Sequence, residues 1–218
     1  MDRTSCISEI VKLEWNMFSS VENVGGRADC QDDPDTFRIM RSSQCQTWDD
    51  DLLASYLDDL KAAEACGRNL MTEKYARMME DTYPEEYASL AATLPPISAK
   101  AKEMINEILK IHQGWQKELQ EKYPCILSHM RPTNENSPAN GMTPLETYLR
   151  GELQTYSEKT LGIYLAKTLA KAANNQNEAA ENLLNQMRQY GFSSLEECEN
   201  KLKSKSHGPS SKMNHSQH

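Results

Sequence analysis

Long apolar runs are missing from this 218-residue sequence, and none approaches the roughly 18 residues that a membrane-spanning helix needs. The first residues, MDRTSCISEIV, lack the apolar core of a secretory signal peptide. The six cysteines form neither a C-x-x-C pair nor a zinc-ribbon spacing, which favours reduced thiols over a disulfide framework. These absences predict a cytoplasmic protein that does not enter a membrane.

Positive charge is also scarce, because 24 Lys and Arg residues stand against 32 Asp and Glu residues, for a formal net charge of -8. Non-specific nucleic-acid binding depends on a concentration of Lys and Arg that neutralises phosphates. The composition therefore argues against a nucleic-acid partner and favours a small neutral or cationic substrate.

No stretch shows the sustained alternation of a half-buried strand, whereas helical periodicity appears along most of the chain. We predict an all-α fold: a single-domain bundle of about six to eight helices over residues 1–202, followed by a disordered polar tail over 203–218. One long helix is predicted from Asp50 to Asp81, with Gly67 in its middle where another backbone comes close. The polar stretch from Arg131 to Gly141 is predicted to be a loop.

Several of the predicted helices carry a polar residue on an otherwise apolar face. A buried charge is costly unless it is paired, so these side chains are expected to meet across the bundle or to line a cavity. The residues concerned are Glu14, Arg41 with Gln44, Glu64, His112 and Glu152.

One interpretation of this pattern is an acid–base active site without a cofactor. A carboxylate in apolar surroundings has a raised pKa and can transfer protons near neutral pH. Glu14 or Glu152 then transfers the proton, Tyr156 or Tyr148 donates to developing charge, and an arginine binds an anionic group. A lyase, isomerase, hydrolase or transferase fits this description. The structural alternative is a dry ion pair between Glu14 and Arg41.

A metal site is the second chemical interpretation, because carboxylates and imidazole are ligands that iron, manganese and zinc accept. The ligand set would be Glu14, Glu64, His112 and Glu152. However, the sequence contains neither an E-x-x-H nor an H-E-x-x-H motif. We therefore expect no cofactor and keep the metal only as an alternative.

Cys30 follows a Gly-Gly turn and precedes a predicted helix start, a position in which thiols can be activated. It is a possible nucleophile with His112 or His129 as its base. The simpler interpretation is a small buried thiol that braces the turn.

Two segments resemble the domain-of-unknown-function 4125 family. The first runs from Glu14 to Gln44 and contains E-W-x-M-F, N-x-G-G-R-A-x-C-Q-D-D and T-F-x-I-M-R-x-S-Q; the second is T-Y-L-R-G-E-L-x-T-Y from Thr147 to Tyr156. The resemblance implies an α-helical domain and a functional set within these motifs. Its expected substrate-binding members are Asn23, Arg27, Arg41, Gln44 and Arg150.

Some relatives in this family carry a nucleotidyltransferase-like domain, which implies nucleotide or small-molecule chemistry nearby. The leading hypothesis is a cytosolic small-molecule enzyme of specialised metabolism, with a pocket between the two motif segments. The alternative is a non-catalytic helical module that binds a partner such as a nucleotidyltransferase-like protein.

Overall fold

The computed structural model of the protein describes residues 1–22, 26–129 and 144–206. Within these ranges it contains helices and no strand, which confirms the all-α prediction. Eight of the α-helices have twelve or more residues, in agreement with the predicted six to eight. In chain order the α-helices are α1 (Arg3–Ser19), α2 (Pro34–Cys45), α3 (Asp50–Ala65), α4 (Leu70–Thr82), α5 (Pro84–Leu90), α6 (Ala99–Lys122), α7 (Pro124–Leu127), α8 (Leu145–Leu153), α9 (Glu158–Ala173), α10 (Glu178–Gln189) and α11 (Leu195–Ser206).

Side-chain caps define many of the helix starts. The Asp33 carboxylate accepts a hydrogen bond from the Thr36 amide, and Pro34 occupies the first turn of α2. Proline is tolerated there because its missing N–H has no partner within the helix. Asp49 caps α3 in the same way through the Leu52 amide. The acidic runs that flank α2 and α3 therefore serve as helix starts.

The prediction of one helix from Asp50 to Asp81 is wrong, because the chain turns after Ala65 and a new helix begins at Leu70. Gly67 has φ +68°, a left-handed conformation that ends a helix. A Cβ atom built on Gly67 has no neighbour within 4 Å, so no backbone comes close there. Asn69 then caps α4 by accepting from the amides of Met71 and Thr72.

Two clusters of buried apolar side chains form the core. The larger one draws on α1 to α4, α6, α8 and α9, and the smaller one on the end of α6 with α7, α10 and α11. Helix α6 belongs to both, since Ile108 packs in the first cluster and Trp115 in the second. The single domain over residues 1–202 stays a prediction.

The predicted C-terminal boundary lies within a helix, because α11 continues to Ser206. The rest of the predicted tail, and the predicted loop from Arg131 to Gly141, lie outside the described residues. In the part of the chain that the structure describes, no helix has both the length and the apolar character needed to cross a membrane.

Candidate functional site

Glu14 on α1 and Arg41 on α2 meet in the interior of the larger core. The Arg41 Nε donates to Glu14 Oε2 at 2.8 Å, and a second guanidinium nitrogen donates to Oε1. The Tyr56 hydroxyl on α3 donates to Glu14 Oε1 at 2.7 Å. The expected meeting of Glu14 and Arg41 across the bundle is therefore present in the structure.

Gln31 and Arg27 join the end of α1 to the residues that precede α2. The Gln31 amide donates to the carbonyls of Phe18 and Val21 at 3.0 and 2.9 Å, and its oxygen accepts from the Ala28 amide. The Arg27 guanidinium donates to the carbonyls of Ser19 and Gln31 at 2.8 Å. Arg27, predicted to bind substrate, thus makes contacts that tie these two segments together.

Glu152 on α8 joins the same network. Its carboxylate accepts from the Lys74 ammonium at 2.7 Å and from the Tyr156 hydroxyl at 2.8 Å. An ion pair of 3.0 Å links it to Arg41, and the Gln44 amide lies 3.4 Å from Oε1. The structure therefore brings together Glu14, Arg41, Gln44, Glu152 and Tyr156, five of the residues predicted for the site.

The sequence prediction missed Tyr56 and also missed Lys74, the second cation of the network. It lies on the apolar stripe of α4 between Met71 and Met78, at helical spacings of three and four residues. A lysine on such a stripe usually extends its ammonium group to solvent. Here the side chain is fully buried, at 1% exposure, because Glu152 meets it inside the core. The same stripe argument that identified Glu14 would have identified Lys74.

The approach of α8 to α4 depends on Gly151. A Cβ atom at this position would lie 2.7 Å from Met78 Cγ and 3.0 Å from the Lys74 carbonyl oxygen. Real Cβ atoms do not occupy such positions without displacement of their neighbours. Glycine beside Glu152 therefore lets the carboxylate reach Lys74.

The network contains two carboxylates and two cations, and little water reaches any of them. The exposed fractions are 0% for Glu14, 3% for Glu152, 6% for Arg41 and 1% for Lys74. The formal charges cancel, as buried ions require. Glu14 and Arg41 thus form the dry ion pair of the structural alternative.

Glu152 does not have the raised pKa that the acid–base interpretation expected. Burial raises the pKa of this carboxyl group, but Arg41 and Lys74 lower it more, so it lies well below its usual range. Glu152 is therefore a carboxylate at neutral pH. It is suited to holding the two cations and unsuited to donating a proton.

The network reaches its half-buried edge at Gln44 and Tyr148. The Lys74 ammonium lies 3.4 Å from the centroid of the Tyr148 ring. Burial raises the pKa of the Tyr148 hydroxyl, but Lys74 and Arg41 lower it, and the net pKa is below its ordinary value of 10.0. Tyr148 is thus a half-buried residue whose deprotonated form Lys74 and Arg41 stabilise.

Of the four predicted metal ligands, Glu14 and Glu152 share the buried network, whereas Glu64 and His112 lie elsewhere. Glu64 is exposed on α3, so its prediction as an inward-facing residue is wrong. His112 lies in a different network, where the Tyr164 hydroxyl is 3.0 Å from both His112 Nε2 and Glu178 Oε1. The described residues contain no group of three or more His, Cys, Asp or Glu side chains placed to hold a metal ion.

Arg150 and Cys30 lie outside the network. The Arg150 guanidinium pairs with Glu146 at 3.0 Å, on the side of α8 away from Glu152. Cys30 is exposed in a 3-10 helix over Asp29–Asp32, so it is not a buried brace.

Neither of the two predicted bases is bonded to the Cys30 thiol. His112 bonds to Tyr164, and the His129 Nδ1 lies 2.8 Å from the Cys125 carbonyl oxygen. Asn23 lies outside the described residues.

An open cleft of about 1010 Å³ lies on the other side of α8. Helices α4, α6 and α8 and the segment between α5 and α6 form its walls. Thr147 and Arg150 on α8 and Gln154 just after it line the cleft, whereas Glu152 and Tyr156 belong to the buried network. Helix α8 therefore separates two polar regions.

Comparison with known proteins identifies a family and no characterised relative. Searches of curated proteins and of solved structures found no significant match to the chain. A family model described as "Protein of unknown function (DUF4125)" matches residues 4–200, which include every residue of the buried network. The chain belongs to the DUF4125 family.

Proposed function

We propose that the protein is a small-molecule enzyme that uses acid–base chemistry, with Tyr148 as the residue that transfers the proton. One observation carries this proposal: a charge-balanced network, buried on four helices, ends at a half-buried tyrosine whose ring lies 3.4 Å from the Lys74 ammonium. The ammonium also stabilises the phenolate form of Tyr148, which is the form that accepts a proton as a general base.

In the proposed reaction the Tyr148 phenolate oxygen accepts a proton from the substrate, and the electron pair stays on the substrate. The proton returns from the phenol to product in a later step. Glu152 holds the Lys74 ammonium at 2.7 Å so that it stays beside the ring. This chemistry suits an isomerase, a lyase or a transferase, and it requires no cofactor.

The other network residues are assigned to positioning rather than to proton transfer. Glu14 and Tyr56 fix Arg41, and Arg41 with Tyr156 fixes Glu152. Gln44 is half-buried, and its amide adjoins Glu152 at the edge of the network. It is the group we assign to substrate binding.

We further propose that the enzyme acts in the cytoplasm, in specialised metabolism, and that a nucleotidyltransferase-like protein is a partner. The absence of a C-x-x-C pair and the six free cysteines support a reducing compartment. The partner proposal depends on the nucleotidyltransferase-like domain that some family relatives carry.

A non-catalytic helical module is the second candidate. The observation that favours it is the dryness of the network, since Glu14 is wholly buried and both its oxygens are bonded. In this case the buried charges only fix the packing of α1, α2, α4 and α8. The module then binds a protein partner and turns over no small molecule.

Screening by thermal shift against amino acids, nucleotides and phosphorylated metabolites distinguishes the two candidates. A ligand at about 100 times its dissociation constant stabilises a protein by about 2.7 kcal/mol, which such a screen detects. Each stabilising compound is then incubated with the wild type, with Tyr148→Phe and with Tyr190→Phe, a control at an exposed tyrosine.

We expect Tyr148→Phe to bind the compound but to lose turnover, because phenylalanine keeps the ring and lacks the hydroxyl. The Tyr190→Phe control should turn the compound over as the wild type does. If Tyr148→Phe keeps full turnover, Tyr148 is not the proton-transfer residue. If no compound stabilises the wild type, the helical module is favoured.

A further inference from the structure

Arg77 on α4 is a buried cation that lines the cleft of about 1010 Å³. Its exposed fraction is 5%. One guanidinium nitrogen donates to the Pro95 carbonyl oxygen at 2.7 Å. The Nε atom, however, is buried and has no hydrogen-bond partner among the described residues.

No carboxylate in the described ranges forms an ion pair with Arg77. Glu73 lies one turn earlier on α4, but both of its oxygens accept from Arg68 at 2.8 Å. Burial lowers the pKa of Arg77, and Glu73, Tyr87 and Glu80 only partly oppose that effect. A guanidinium without a paired carboxylate is costly inside a protein. This contrasts with the four balanced charges on the other side of α8.

A ligand that brings a negative charge would supply the missing partner. The Nε–H and the outer N–H groups of a guanidinium form a planar fork that matches a carboxylate. Three acidic residues, Glu80, Asp81 and Glu146, and two further basic residues, Lys102 and Arg150, also line the cleft. Arg150 is paired with Glu146, and the carboxylates repel a dianionic phosphate more strongly than a singly charged carboxylate.

The rest of the cleft provides an apolar wall. Leu94 and Ile97 are half-buried in the segment between α5 and α6, and Ile105 is buried on α6. The volume is at the upper end of the roughly 300–1,000 Å³ that small-molecule sites occupy. There is therefore space for an apolar chain attached to the charged group.

We propose that this cleft binds a small molecule with one carboxylate group and an apolar chain, and that the carboxylate pairs with the buried Arg77 guanidinium. This site goes beyond the proposed function, because it lies on the opposite side of α8 from Tyr148. It is a separate binding site of the same protein.

Hexanoate is the test ligand, because it combines one carboxylate with a short apolar chain. Hexylamine has the same chain with a positive charge, and inorganic phosphate has the negative charge without the chain. Binding is followed by the NMR signal of the Arg77 Nε–H group in the full chain and by thermal shift. The variants are Arg77→Met, Arg77→Lys and Arg38→Met, the last as a control at an exposed arginine.

We expect hexanoate to move the Arg77 Nε–H signal and to raise the melting temperature of the wild type. Arg77→Met should weaken hexanoate binding by about tenfold or more, since a charge-assisted hydrogen-bonded pair is lost. Arg77→Lys should keep part of the affinity, because it keeps the charge but not the planar fork. Arg38→Met and Tyr148→Phe should bind hexanoate as the wild type does.

Several results would overturn the proposal. One is an Arg77 signal in the wild type that does not respond to hexanoate, which is decisive even if Arg77→Met fails to fold. Another is equal hexanoate affinity in Arg77→Met and the wild type. Tighter binding of hexylamine or of inorganic phosphate than of hexanoate would also reject a carboxylate site.

Discussion

Replacement of Arg41 by methionine tests the energetics of the buried network. The change removes the hydrogen bonds to Glu14 and the ion pair with Glu152, so two carboxylates remain with only Lys74 as a cation. Breaking a buried ion pair by removing one partner costs about 3–5 kcal/mol. Since a domain of this kind is stable by about 5–15 kcal/mol, Arg41→Met should approach the threshold of folding.

A second change should restore part of the loss. Glu14→Gln in the Arg41→Met background removes the carboxylate that lost its partner and leaves Glu152 paired with Lys74. The double variant should therefore be more stable than Arg41→Met alone, and the two effects should be coupled by roughly 1–3 kcal/mol. Arg38→Met, which removes an exposed pair at 3.6 Å, serves as the control and should cost less than about 1 kcal/mol.

Urea denaturation followed by circular dichroism measures these free energies of unfolding. At about 2–4 °C per kcal/mol, Arg41→Met should also lower the melting temperature by roughly 6–20 °C. A loss below about 1 kcal/mol for Arg41→Met would refute the claim that the pair is dry and necessary. A double variant that loses the simple sum of the two single effects would refute their coupling.

Two further predictions concern packing and pH. Gly151→Ala should destabilise the protein by about 1–3 kcal/mol, because its Cβ would meet Met78 and the Lys74 carbonyl. The matched change is Gly114→Ala in α6, where a Cβ atom would meet nothing within 4 Å beyond the backbone of its own helix. It should stabilise the protein by up to about 1 kcal/mol. Equal urea midpoints for the two variants would contradict this reasoning. Burial, with a smaller effect of Lys171, lowers the pKa of His112 from 6.5 to about 4. The unfolded chain therefore binds more protons between these pH values, and the free energy of unfolding should fall by up to about 3 kcal/mol as pH drops through this window. His112→Gln should remove that part of the pH dependence in urea titrations at several pH values, and an unchanged slope would show that His112 does not contribute.

The sequence allowed the central pair to be predicted because each member interrupts an apolar helical stripe. Glu14, Arg41 and Glu152 stand where an apolar residue is expected, and the structure places all three in one network. Lys74 stands on such a stripe as well, but a lysine is normally assumed to reach solvent. Its burial depends on Glu152, which lies 78 residues away in the sequence.

The sequence prediction errs at Glu64 and in the length of the helix that carries it. The prediction places Glu64 inward on one continuous helix, but α3 ends one residue later, at Ala65, and Glu64 is exposed there. Arg150, expected to bind substrate, pairs with Glu146 and lies outside the buried network. Arg77 and its cleft were not predicted at all, because three helices and the Pro95 carbonyl form the site together.

The pKa of Tyr148 is the measurement that tests the proposed function most directly. It can be followed by NMR of isotope-labelled tyrosine or by phenolate absorbance, with Tyr148→Phe to assign the signal. Our account predicts a pKa below the ordinary value of 10.0 in the wild type and a higher pKa in Lys74→Met, where the adjacent cation is removed. A Tyr148 pKa at or above 10.0 in the wild type, or one that Lys74→Met leaves unchanged, would contradict it.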